Sequence, residues 1–410
     1  QVSVPIYCTP LTAKLIDHKL RDKGAPDQVH LIHKVKAGDT IKAGQFKVEY
    51  IHVNHSIADA CALAIHTPAG VVVHSGDFKI DFTPIHGEPI DLARFAELGE
   101  EGVLLFLCES TNIEREGFSM SESSVGDAFE EQFSKAQGRI FVATFSSNVH
   151  RVQQIVTAAE THGRKVVLLG RSMLNVFRSA NDLGYIHMKK DTIISLNDVN
   201  KYDDDELCIV MTGSQGEPLA ALTRIAYAEH RNFQVKENDT IIISATPIPG
   251  NEKSIYRVID ELYKRGANVI YSQLADVHVS GHAYQEEIRL LHALIKPKYF
   301  IPIHGEYRML YHHAEVAHGL GTPWENIFIL NNGDIFACTE DFAGVVGYTS
   351  AGAILIDGRT FSPANTETLQ ERNRLADNGV ISVSLPLDSR TGRLRGLPDL
   401  VSYGFIYESD

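Results

Sequence analysis

The chain has 410 residues, 44% hydrophobic and 22% charged, enough for two or three domains or for one domain with a large insertion. Its formal net charge of −14 argues against binding nucleic acid through an overall positive field, though not against local basic grooves or bound cations. Five cysteines, odd in number, well separated and without a C-x-x-C spacing, argue against a disulfide framework and a thiolate zinc site. With no apolar window of roughly 18 residues and no leader pattern after Gln1, a cytoplasmic protein without membrane contact is expected.

In chain order, the first 120 residues read as strands separated by turns. QFKVEYIHV, ALAIHT, GVVVHSGD and GVLLFLCEST are rich in Val, Ile, Leu and Phe and are bounded by Gly or polar residues. From about residue 123 strands alternate with helices. RIFVATF precedes NVHRVQQIVTAAETHG, KVVLLG precedes RSMLNVFRSANDLG, ELCIVMTG precedes EPLAALTRIAYAEH, and TIIISATP precedes NEKSIYRVIDELYKRG. Such alternation predicts parallel strands with crossover helices on both faces. After about residue 283 come the helix YQEEIRLLHALI, the strand KYFIPIHG, another helix and a β-rich C-terminal stretch. The blocks are 1–122, 123–282 and 283–410, and pattern alone fits either successive domains or an α/β unit inserted into another domain.

Four apolar runs end on a histidine or aspartate: His55 in IHVNHS, Asp77 in VVVHSGD, His282 in DVHVSGHA and His304 in YFIPIHGE. Strand ends aim side chains from distant parts of a chain at one point. His with carboxylate suits zinc or manganese, and Asp can bridge two ions. Taken singly, each is more often a hydrogen-bonded turn residue than a ligand; together they make a candidate metal centre. Three strand-to-helix junctions, TFSSNVHR, TGSQGEP and ATPIPGNEKS, carry small polar residues where helix N–H groups can meet an anion. In the first, Ser146, Ser147 and Asn148 can cap the helix while Arg151 faces a phosphate, although such residues are also ordinary N-caps.

NHSIADA, HSGDFKID, CESTNIEREG, FSSNVHR, TGSQGEP, HVSGHAYQEE and PIHGEYRML, in this order and followed by SAGAILIDG and PDLVSYGFIYE, resemble ribonuclease J, a metallo-β-lactamase-fold nuclease family of the β-CASP group. The resemblance implies an α/β fold, an αββα metallo-β-lactamase core interrupted by a β-CASP domain with a parallel sheet flanked by helices. It implies His55 on one metal, Asp77 bridging two and His304 on the second, with catalysis carried by Asp77, His282, Glu109 and His304. Glu109 and His282 would position water or the scissile phosphate, and Ser280 and Gly281 would contact that phosphate. Ser214, Gln215 and Gly216, and with them Ser146 and Ser147, are the candidates for holding a 5′-phosphate.

The implied cofactor is zinc, two per site, with manganese or magnesium as alternatives. The implied substrate is RNA with a 5′-monophosphate end, cut by a 5′-to-3′ exonuclease with endonuclease activity. A homo-oligomer, dimer or tetramer, is also implied. The family's H-x-H-x-D-H motif, which would precede the segment beginning at Val4, is absent from the sequence. The expectation is therefore a chain lacking its N-terminal part and the family's C-terminal domain, with only three metal ligands and weak metal binding of its own. The alternative is a non-catalytic RNA-binding or scaffold paralogue with a lost metal site. A small-molecule hydrolase on the same core leaves the phosphate-type loops unexplained.

Overall fold

The structure, a computed structural model, describes residues 3–248, 250–352 and 366–404. It has two compact units, Gln1–Asn331 with Phe336–Val346, and Asn332–Ile335 with Gly347–Asp410. The expected third block, 283–410, thus has residues in both.

The first unit holds two large sheets and a two-stranded parallel pair formed by its first two strands. The strands are β1 (Ile6–Cys8), β2 (Ile32–Lys34), β3 (Thr40–Ala43), β4 (Phe46–His52), β5 (Cys61–Thr67), β6 (Gly70–His74), β7 (Val103–Glu109), β8 (Ile140–Ala143), β9 (Lys165–Leu169), β10 (Leu207–Met211), β11 (Thr240–Ile243), β12 (Asn268–Tyr271) and β13 (Tyr299–Ile303). The core sheet is ordered β13-β7-β6-β5-β4-β3. Its strands β13, β7 and β6 are parallel, whereas β6, β5, β4 and β3 pair antiparallel. The unbroken apolar run of β7 is covered on both faces, as a central parallel strand requires. Two antiparallel steps separate β4 from β6, so β4 points the same way as β6, β7 and β13. The carboxyl ends of all four strands therefore lie along one edge of the sheet; Glu109 is the last residue of β7, and His55, Asp77 and His304 follow the ends of β4, β6 and β13.

Helices α1 (Pro10–Asp22), α2 (Leu92–Glu101), α3 (Ser124–Lys135), α4 (Val149–Thr161), α5 (Arg171–Asp182), α6 (Ala221–Ala226), α7 (Glu252–Lys264), α8 (Gln285–Ile295) and α9 (Tyr307–Gly319) complete this unit. Phe95 and Leu98 of α2, Ile288 and Leu291 of α8 and Ala314 of α9 pack with Phe106 and Phe300 of the core sheet. The α2–α8 approach needs Gly99, where a Cβ would lie 2.0 Å from the Leu294 carbonyl oxygen.

The second sheet, β12-β11-β8-β10-β9, is parallel throughout. Alternate residues of its strands face opposite ways. Val142, Val166, Cys208 and Ile242 join residues of α3, α4 and α5 on one side, while Phe141, Val167, Ile209 and Ile241 join α6 and α7 on the other. This is the crossover arrangement expected from the alternating sequence. One element is shorter than expected. EPLAALTRIAYAEH forms helix only over Ala221–Ala226, because residues 213–220 are spent in turns and Ala228 takes a positive φ of 60°.

In the second unit, helix Thr366–Asn378 precedes the antiparallel pair Val380–Ser384 and Asp399–Tyr403. Parts of the SAGAILIDG and PDLVSYGFIYE motifs, residues 353–358 and 405–408, lie outside the described residues.

Two core histidines give the fold a defined acid sensitivity. Buried His292 bonds Thr322 Oγ1 at 2.9 Å and packs edge-on to Phe300; burial pushes it down to about 4. His313, with no solvent exposure, bonds Ser110 Oγ at 2.9 Å, and burial beside His292 pushes it down to about 3. Since both are lower than in the unfolded chain, where histidine titrates near about 6.5, their contribution is complete above that pH and is lost as pH falls toward the folded values. Urea unfolding is expected to show a loss of about 2 kcal/mol per histidine between about pH 6.5 and about pH 5, with a shallower slope in His292→Gln. An unchanged slope would refute the assignment.

Candidate active site

The valine run of β6 ends in a turn that only glycine can make. Gly76 has a φ of +60°, and a Cβ there would lie 2.8 Å from the Cys61 carbonyl oxygen. The preceding Ser75 donates its N–H to the Leu107 carbonyl of β7 at 2.9 Å and accepts from the Glu109 N–H at 3.1 Å. The turn brings the half-buried Asp77 between histidines from two other strand ends. Oδ1 lies 3.1 Å from His304 Nδ1, and Oδ2 lies 4.0 Å from His55 Nε2. His304 has a φ of 54°, a left-handed conformation that is uncommon for a side-chain-bearing residue and that clusters at functional sites.

Asp77, Glu109, His282 and His304 place one ligand atom each within 4.8 Å of one another. Glu109 is fully buried and uses both oxygens within the protein. Oε1 accepts from the Phe78 N–H at 2.8 Å, and Oε2 lies 2.8 Å from His282 Nδ1. It holds Asp77's neighbour on one side and aims an imidazole on the other, leaving His282 Nε2 for the space that His282 lines. His55 Nδ1 is 2.8 Å from the Gly281 carbonyl. A carbonyl only accepts, so the neutral ring carries its proton there and offers an Nε2 lone pair toward Asp77, a usual orientation for a metal-binding imidazole.

The protonation preferences suit the same use. Burial alone would raise the Asp77 carboxyl, but the His304 hydrogen bond and charge, with His55 and His282 nearby, outweigh it and bring it down to about 2. Burial, with a contribution from His282, holds His55 below the ordinary imidazole value. The hydrogen bond to Asp77 raises His304. An ionised carboxylate and a neutral imidazole are the forms that coordinate a divalent ion, so Asp77 and His55 are poised for it, whereas His304 must give up its proton as the ion binds. The residues present thus fit such an ion through Asp77, His304 and His55, while Glu109 is committed to hydrogen bonds.

A cleft of about 570 Å³ runs from this cluster toward the inserted sheet, lined among others by His282, His304, Arg115, Phe145, Ser147 and Thr246. Ser280 and Gly281 also line it, as expected for phosphate contacts. Ser147 reaches it but Ser146 does not. Ser214 and Gln215 are buried behind the cleft rather than lining it. Gln215 braces the Thr246–Ile248 loop, donating to the Thr246 carbonyl at 3.0 Å and accepting from the Ile248 N–H at 2.8 Å. Gly216 backs onto α7, where a Cβ would lie 2.9 Å from the Ile255 nitrogen. Asn148 caps α4 by accepting from the Arg151 N–H at 3.0 Å. The expectation that Arg151 faces a phosphate is overturned: its side chain has no solvent exposure and pairs with Glu122.

Three contributors escaped the sequence reading. Thr111 Oγ1 lies 3.2 Å from His304 Nδ1. Asn112 donates to Ser280 Oγ at 2.8 Å and to the His282 carbonyl at 3.2 Å. Buried Lys79 donates to the Met120 carbonyl at 2.6 Å and lies 3.5 Å from that of Ser280. Thr111 and Asn112 sit in the quoted CESTN run, just beyond Glu109, which is the only signal that pointed to them.

Gly281 is tightly enclosed, since a Cβ would fall 2.1 Å from Ser56 Oγ and 2.8 Å from the Ser56 nitrogen. Gly281→Ala is expected to destabilise the chain by about 1–3 kcal/mol through overpacking, measured by urea unfolding. Ser56→Gly in the same chain should restore only part of the loss, because the backbone clash remains; full restoration would contradict this geometry.

Three family descriptions match in succession. "Ribonuclease J, beta-CASP domain" covers residues 137–262, "Zn-dependent metallo-hydrolase RNA specificity domain" covers 268–330, and "Ribonuclease J C-terminal domain" covers 367–410. The last match corrects the expectation that the family's C-terminal domain is lacking. Among curated relatives, Ribonuclease J of Synechocystis is 45% identical, over 99% of this chain and 63% of its own length. Ribonuclease J 1 of Streptococcus pyogenes is 40% identical, over 99% of this chain and 72% of its own length. Ribonuclease J2 of Bacillus subtilis is 37% identical, over 99% and 73% respectively. The chain spans about three fifths of the length of the first of these. A crystal structure of a protein of unknown function from Enterococcus faecalis aligns with a TM-score of 0.55 at 20% identity, covering 80% of this chain and 74% of that one. With the β-CASP and metallo-hydrolase family matches, the fold is a metallo-β-lactamase core with a β-CASP insertion.

Proposed function

We propose, from the premise that this chain belongs to the ribonuclease J family, that it is the catalytic part of a metal-dependent ribonuclease acting on RNA. The observation that carries the reading is the convergence of Asp77, His304 and His55 beside the Glu109–His282 pair, where His55, His282 and His304 line a cleft that residues of the inserted domain also wall. A divalent ion held by Asp77, His304 and His55, zinc first and manganese or magnesium next, would polarise the scissile phosphate and acidify water there. Two ions per site are proposed for the complete protein.

The chain's own groups do the positioning. Water attacks phosphorus in line, the bond to O3′ breaks, and the products carry a 3′-hydroxyl and a 5′-phosphate. Glu109 fixes the His282 ring through Nδ1, as a buried carboxylate orients a catalytic imidazole. His282 Nε2 then faces the cleft to stabilise charge on the phosphate or to supply the leaving oxygen's proton. Ser280 and Gly281 border the same phosphate. At the far end of the cleft, Ser147 and the first turn of α4 offer donors to a 5′-monophosphate, with the Thr246–Ile248 loop held in place by Gln215.

We further propose, on the ribonuclease J resemblance, 5′-to-3′ degradation with endonucleolytic cuts, in the cytoplasm, by an assembly of identical subunits. Among the described residues no helix is long and apolar enough to cross a membrane.

In the complete protein, Asp77→Ala is expected to abolish metal-dependent RNA cleavage while thermal unfolding stays within a few degrees of wild type. Undiminished cleavage would sink the assignment. RNA binding without cleavage by the wild type, with metal supplied, would favour the non-catalytic scaffold. Because phosphate contacts release counterions, RNA affinity should fall linearly with salt on logarithmic axes; a flat dependence in filter binding would remove RNA as the ligand of this cleft.

A further inference from the structure

Arg151 has five N–H donors to satisfy and no contact with water. Nε and Nη2 hold the Glu122 carboxylate at 2.6 and 2.9 Å. Nη1 donates to Ser244 Oγ at 2.7 Å, and it lies 3.3 Å from the Val277 carbonyl and 3.2 Å from His278 Nδ1. Nη2 reaches the Val279 carbonyl at 3.4 Å. Ser244 Oγ itself donates to the Val277 carbonyl at 2.6 Å.

These partners mark the passages between core and insertion. Glu122 stands where the chain leaves the core, and its N–H is bonded at 2.9 Å to Asp81, four residues beyond Asp77. Residues 277–279 are where the chain returns. The next three, Ser280, Gly281 and His282, meet Asn112, His55 and Glu109 respectively. A buried ion pair is a weak route to stability, and well-packed hydrocarbon often serves as well or better. What hydrocarbon does not supply is a planar fork of donors aimed at backbone carbonyls.

We propose that Arg151 is a positioning residue for His282. From inside the inserted domain it sets the path of residues 277–279, and so delivers Ser280, Gly281 and His282 to their partners in the core. Only the catalytic consequence of this placement rests on the ribonuclease reading.

Hydrogen exchange followed by mass spectrometry tests the placement on this chain without metal or RNA. Arg151→Lys keeps the charge but loses the fork, and Ser244→Ala, a milder change in case the first does not fold, removes one relay while leaving the ion pair. Amides of residues 277–283 are expected to exchange about tenfold faster in Arg151→Lys and less so in Ser244→Ala, with those of β10 unchanged. Unaltered exchange in 277–283 overturns the proposal. Equal acceleration in β10 overturns it as well, since it would make Arg151 a general stabiliser.

In the complete protein Arg151→Lys should lower kcat for RNA cleavage about tenfold with KM within about twofold. A loss confined to KM would also overturn it. Absence of cleavage in every protein, wild type included, would end the ribonuclease reading while the exchange result still decides how His282 is placed.

Discussion

A carboxylate sealed from water at the end of β7 holds the site together. Glu109 has no solvent exposure, and a charge in that position is tolerated only when its oxygens are taken up by donors. One oxygen takes the N–H that follows Asp77, and the other takes the imidazole of His282. A strand end of the core, the turn after β6 and the segment returning from the insertion are thereby tied to one group. The parallel order β13-β7-β6 makes this possible, since it sets three carboxyl ends side by side.

Similar logic recurs a layer further out. Glu287 of α8 accepts from the Ile80 N–H at 2.7 Å and the Ser119 N–H at 2.7 Å, and Asp81 accepts from the N–H groups of Thr83 and Glu122 at 3.1 and 2.9 Å. The segment from Phe78 to Asp81 therefore has its backbone held by carboxylates from separate elements. Such bonds contribute modestly to net stability, yet leaving any one of these buried donors unpaired costs more than the bond contributes. Their effect is to hold Asp77 in one geometry, which a coordinating group requires.

How legible this was in the sequence depended on distance along the chain. His55, Asp77, His282 and His304 could be picked out because each interrupts an apolar run, a local signal. Glu109 came from a likeness of motifs, whereas the loops of Ser147 and Ser214 stood out by small polar residues at helix starts and the likeness only assigned them a 5′-phosphate. The parallel insertion was readable because β8 to α7 repeat one pattern. Arg151 was misread for a physical reason: the sequence shows a helix start, where an arginine usually faces outward, but not that α4 begins against Glu122 and the returning segment. Gln215 and Asn112 were equally opaque in role, since their partners lie tens to hundreds of residues away and hydrogen-bond geometry has no local signature.

The pairing of β13 with β7 carries a consequence for assembly of the chain. Glu109 and Ile303 are register partners, yet the whole insertion lies between them. Closing a loop of that length as disordered chain costs about 5 kcal/mol of entropy, and it leaves the apolar edge of β7 exposed while β13 is still to be made. An insertion that has already condensed around β8 brings its two ends together and removes most of that cost. The order of synthesis suits this, because every strand of the inserted sheet emerges before β13 does. The core around Asp77 and His304 thus closes after its insert, which serves as the clasp that lets it do so.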